Sequence, residues 1–85
     1  MPTVSRFFGI VVFLNYRDHA PPHFHARYGE DEVTVEIGGG AVTGRMSKRA
    51  LRLVLEWAAL YEDELMRNWD LARENKPLEQ IDPLT

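Results

Sequence analysis

The spacing of apolar residues changes three times along this chain, and each change marks a different element. From Phe7 to Tyr16 apolar residues fill both parities, interrupted only by Gly9 and Asn15. That is the pattern of a strand covered on both faces, so this stretch is read as the central strand. From His23 to Tyr28 the pattern alternates. Phe24, Ala26 and Tyr28 fall on one side, and His23, His25 and Arg27 on the other. Glu32 to Ile37 alternates again, with Gly29 to Asp31 between the two runs, which predicts a hairpin. Gly38-Gly39-Gly40 is a flexible connector, and Ala41 to Met46 can add a short edge strand.

The period then becomes helical. Leu51, Val54, Ala58, Tyr61, Leu65, Trp69 and Ala72 recur in steps of three or four, with no Gly or Pro between Lys48 and Asn75. Ser47 is a suitable N-cap. One helix of that span would be roughly 40 Å long at 1.5 Å per residue, against about 30 Å for a compact domain of this size. A break is therefore expected near Tyr61 to Asp63, with Asp63 as a second cap. Lys76-Pro77 ends the second helix, and Leu78 to Thr85 is an extended tail in which Ile81 docks back on the body. The predicted fold is α+β: a small antiparallel sheet of three or four strands, followed by two C-terminal helices packed on one face, in a single domain spanning residues 1–85. The expected core is Phe8 or its neighbours, Ile10, Val12, Phe24, Ala26, Val35, Ile37, Leu51, Val54 and Leu65.

The hairpin can be given a register. With Glu30-Asp31 at the tip, Tyr28 faces Val33, Ala26 faces Val35 and Phe24 faces Ile37, so every core-side pair is apolar. On the other face His25 then meets Glu36 and Arg27 meets Thr34. A slip by one residue would reverse both faces. In this register the Glu36 carboxylate orients the His25 ring.

Charge and composition narrow the function classes. Residues 1–52 carry seven Lys/Arg and five Asp/Glu, net +2; residues 53–85 carry three and eight, net −5. The acidic second half argues against a general nucleic-acid binder. It leaves a local basic run, Arg45, Lys48, Arg49 and Arg52, read mainly as a solvated first helical turn. The chain has no cysteine, so thiolate chemistry and disulfides are absent. The longest apolar run, Phe7 to Leu14, is too short to span a bilayer as a helix. With no signal segment at the start, a cytoplasmic protein is expected. Trp57 and Trp69 are read as packing residues rather than a ligand cage.

The chemistry concentrates in Asp18-His19-Ala20-Pro21-Pro22-His23-Phe24-His25-Ala26, which contains all three histidines of the chain. Histidine titrates near neutral pH and ligates metals. The two prolines stiffen the approach to the strand, which then presents His23, His25 and Arg27 on one face. Four readings of this motif are open. In the structural one, His19 bonds the turn backbone while His23 and His25 satisfy polar groups under a neighbouring loop. In the second, His19, His23 and His25 with Asp18, or with Glu36, form a mixed N/O set for zinc or another divalent transition metal. In the third no cofactor is needed: His23 and His25, with His19, Arg27 and Glu36, perform acid–base catalysis on RNA, an arginine holding the phosphate. In the fourth, the histidine face or a strand edge is the interface for a second small protein or a second copy of the chain.

The sequence also resembles a bacterial family catalogued as domain of unknown function 4160. The resemblance is carried by Pro2 to Ile10, the segment Asp18 to Ala26, Lys48-Arg49-Ala50-Leu51, Glu56-Trp57-Ala58, Asn68-Trp69 and Ile81-Asp82-Pro83-Leu84. The family name implies no activity. The resemblance does imply a neighbouring gene for a small protein similar to domain of unknown function 2442, and hence a toxin–antitoxin-like or other two-component module acting through a protein partner.

Overall fold

The computed structural model describes residues 1–85. Its elements are β1 (Thr3–Phe7), β2 (Ile10–Phe13), β3 (His23–Tyr28), β4 (Asp31–Glu36), β5 (Val42–Gly44), α1 (Lys48–Leu60) and α2 (Glu62–Arg73). The strands form one antiparallel meander, ordered β1-β2-β3-β4-β5. The fold is thus α+β, as the patterning predicts, with five strands instead of three or four.

The additional strand comes from splitting the Phe7–Tyr16 run. Phe8 and Gly9 both take positive φ, +48° and +81°, and form a two-residue turn between Phe7 and Ile10. Two positive φ values match the right-handed twist of a hairpin. Phe8 therefore leaves the core and stands 53% exposed. Gly9 also lies against the Tyr28 ring: a Cβ there would come within 3.3 Å of it.

The β3–β4 register differs from the expected one by two residues. The loop is Gly29-Glu30, with Gly29 at φ +61°, and Tyr28 pairs with Asp31. Glycine at the first loop position suits a tight hairpin turn, and this preference outweighs the all-apolar pairing at the far end. His25 consequently faces Thr34, Arg27 faces Glu32, and His23 faces Glu36. A shift of two preserves the faces, so Phe24 and Ala26 still point into the core opposite Val35 and Val33.

The helices cover the apolar face. Trp57, Val54 and Leu65 are fully buried against Phe24 and Val35, and the Trp57 ring stands edge-on to Phe24 with centroids 5.9 Å apart. Leu51 is only partly buried at the margin. Ser47 caps α1, accepting from the Ala50 N–H at 3.2 Å. The break falls at Tyr61, between α1 and α2. Asp63 is not the second cap: α2 starts at Glu62 without a side-chain cap, and Glu62, Asp63 and Glu64 all lie in its first turn. Carboxylates there favour the helix dipole.

The tail docks as expected. Ile81 is buried, and its N–H donates to the Val4 carbonyl at 2.8 Å. Gln80 Nε2 donates to the Thr3 carbonyl, also at 2.8 Å. Asn68 clamps the backbone of Glu79 with a donor and an acceptor, both at 2.8 Å. The tail thereby covers the outer edge of β1. No helix is long and apolar enough to cross a membrane.

Candidate functional site

The alternation of β3 puts His23 and His25 on the sheet face turned away from the main core. The loop Asn15–Pro22 returns across that face before β3 begins. It is tied down at both ends: the Arg17 N–H donates to Ala72 O at 3.2 Å, and the Ile37 N–H donates to Pro22 O at 2.9 Å. Arg17 takes positive φ and the Ala20–Pro21 peptide is cis. This path lays the Asp18 carboxylate over the start of β3.

Asp18 joins both histidines. Its Oδ2 lies 2.9 Å from His23 Nε2 and 3.3 Å from His25 Nε2. Its Oδ1 accepts from the His19 N–H at 2.8 Å. Burial alone would push the Asp18 carboxyl up. The hydrogen bonds from the His19 backbone, His25 and His23, with the charge of His23, outweigh it and hold the group below its ordinary range. Asp18, His23 and His25 each present one ligand atom, and the three atoms lie within 4.8 Å of one another. Their side chains are 15%, 7% and 14% exposed.

Each histidine is also supported from behind. His23 Nδ1 lies 2.7 Å from the Pro21 carbonyl oxygen, and the ring packs on Trp69, centroids 5.1 Å apart. His25 Nδ1 is 3.4 Å from Thr34 Oγ1 and 3.5 Å from Glu32 Oε2. Its ring stacks on Phe13, centroids 5.0 Å apart and 9° from parallel. Arg27 holds Glu32 through two nitrogens, at 3.0 and 3.3 Å, and its guanidinium sits over Phe13.

A pocket of about 410 Å³ opens beside this cluster, lined by Asn15, Asp18, His19, Pro21, His23, His25, Thr34, Glu36, Ala41 and Thr43. No lysine or arginine lines it. A smaller, mostly apolar cavity of about 260 Å³ lies between the helices and β4, bounded by Leu55, Ala58 and Leu65; it contains none of the histidines.

Of the residues singled out in the sequence, Asp18, His23 and His25 converge. His19 stands apart, 87% exposed, with Nδ1 3.0 Å from the outer oxygen of Asp18. Glu36 lines the pocket across from His23, not His25. Arg27 is engaged by Glu32 and does not line the pocket. Phe13, Asn15, Glu32 and Thr34 complete the surroundings without having been singled out. The only advance signal for Thr34 and Glu32 was their parity on the strand opposite β3.

Residues 9–70 match the model of the family described as Domain of unknown function (DUF4160). The chain belongs to this family. The matched span of DUF4160 runs from the β1–β2 turn into α2 and includes Asp18, His23, His25 and every other residue lining the pocket. No curated protein and no solved structure matches the chain.

Proposed function

We propose that this chain is the pocket-bearing member of a cytoplasmic two-protein, toxin–antitoxin-like module, and that its partner seats on β5 and closes the pocket. One observation carries this reading: the pocket and the free sheet edge share residues. Ala41 and Thr43 line the pocket, and all three residues of β5 are exposed. The Glu36 N–H donates to Ala41 O, so by antiparallel alternation Thr43 bonds inward while Val42 and Gly44 direct their backbone groups outward. A strand added there borders the pocket mouth. The edge itself has neither charge nor proline to discourage pairing. The partner is a small protein from a neighbouring gene, similar to domain of unknown function 2442.

Catalysis on RNA draws less support. The pocket is lined by two carboxylates and by neither lysine nor arginine, and Arg27 is already committed to Glu32. Co-expression with the neighbouring gene tests the proposal. A complex is expected in which the Val42 and Gly44 amides are protected from hydrogen exchange, and Val42→Pro should prevent it without disturbing the β4 ladder. If the two proteins do not associate, or associate without protecting those amides, the reading is wrong.

A further inference from the structure

The contacts around Asp18 restrict where the protons of the two histidines can sit. The Pro21 carbonyl oxygen can only accept, so the His23 Nδ1 facing it at 2.7 Å carries the hydrogen. A neutral imidazole has one N–H. Its Nε2 is then a lone pair, yet it points at the carboxylate oxygen Asp18 Oδ2 from 2.9 Å. His25 is satisfied in either tautomer, because the Thr34 hydroxyl can donate to its Nδ1 or accept from it. Its Nδ1 faces Thr34 Oγ1 and the Glu32 carboxylate, while Nε2 faces Asp18 Oδ2 at 3.3 Å and the Asn15 amide nitrogen at 3.4 Å. Without a further ligand, His23 needs a second proton, which puts a cationic ring 5.2 Å from the His25 ring and has both share one carboxylate oxygen in a largely enclosed site.

We propose instead that Asp18, His23 and His25 bind one divalent first-row transition ion through Oδ2 and the two Nε2 atoms. Three lone pairs then converge on one positive charge, and both rings stay neutral with a single N–H each. The spacing suits it. Ligands about 2.0–2.1 Å from a tetrahedral zinc lie roughly 3.3 Å from one another, and the two separations from Asp18 Oδ2 are 2.9 and 3.3 Å.

The surroundings are those a metal site needs. Metal-bound histidines hand their second N–H to a carbonyl or a carboxylate, which fixes the tautomer and the ring. His23 uses Pro21 O; His25 faces Thr34 and Glu32, and Glu32 is steadied by Arg27. The free oxygen of Asp18 is held by the His19 N–H. Two imidazoles and one carboxylate select transition ions over magnesium or calcium. The pocket lies beside the three atoms, and Glu36, the cross-strand partner of His23, is in its lining. His19 takes no part. This inference does not depend on the partner proposed above.

The test is calorimetric titration of the full chain, stripped with chelator, with zinc and separately with cobalt. One ion per chain is expected, with the visible absorption of a low-symmetry cobalt site. Nitrogen-15 spectra should show zinc shifting Nε2 of His23 and His25 much more than Nδ1. His25→Gln and Asp18→Asn should abolish binding, and Glu32→Gln should weaken it about tenfold. His19→Gln should leave it unchanged, which separates this site from casual binding by an exposed histidine. His25→Gln and Glu32→Gln keep the test decisive if Asp18→Asn does not fold. The proposal is overturned if zinc and cobalt do not bind, if binding survives His25→Gln, or if His19→Gln abolishes it.

Discussion

Trp57, in the last turn of α1, donates its indole N–H to the carbonyl of Asp82, 2.8 Å away and 25 residues later. The tail is therefore anchored in the centre of the core rather than laid over it. Trp57→Phe should cost about 1–2 kcal/mol through the lost bond and the orphaned carbonyl. Ile81→Ala should cost about 2 kcal/mol, the low end for a buried aliphatic truncation. In a chain ended at Pro77, Trp57→Phe should cost less than in the full chain. Urea denaturation of the parent and these four variants checks this.

The observed hairpin register makes its own prediction. Arg27 and Glu32 are cross-strand partners joined at 3.0 Å and about two-fifths exposed, so a double-mutant cycle should give a coupling of about 0.5 kcal/mol. His25 and Glu36 do not face each other, and their cycle should give none. A clear His25–Glu36 coupling would restore the alternative register.

Asp18 sets a pH dependence in metal-free protein. Its folded-state carboxyl lies below the unfolded value. The stability it contributes is therefore present above the unfolded value, about 3.9, and is lost as pH falls through the folded one. Asp18→Asn should be less stable than the parent at neutral pH, and the gap should narrow on acidification below about pH 4. A gap that widens toward acid would contradict the hydrogen-bonded carboxylate.

The first turn can be improved. Phe8 is exposed with φ +48° beside Gly9. Asparagine tolerates that conformation, and Asn-Gly is the preferred pair for such a hairpin. Phe8→Asn should raise stability by about 0.5–1 kcal/mol, read as a higher thermal midpoint with the sheet intact.

These residues also show what the sequence discloses. The facing of β3 and β4 was legible because period-2 alternation survives a two-residue shift. Their exact pairing was not, since it turned on whether Gly29 lies inside the loop. The first hairpin was hidden because Phe8 extends an apolar run while standing in solvent, with Gly9 as the single cue. Asp18, His23 and His25 were legible as residue types within one motif. Their convergence was not, because it depends on how residues 15–22 cross the sheet. His19 and Arg27 seemed equivalent members of the set, and only their exposure and partners separate them.

The two edges of the sheet are unequal. The tail occupies β1 at Thr3 and Val4, and the exposed Arg6 follows, whereas β5 is bare. A chain with two open edges can polymerise. Here the carbonyls of Thr3 and Val4 are already taken by the tail, so a strand approaching β1 at those residues has to displace it, whereas one approaching β5 displaces nothing. The C-terminal tail thus acts as an edge guard at the start of β1.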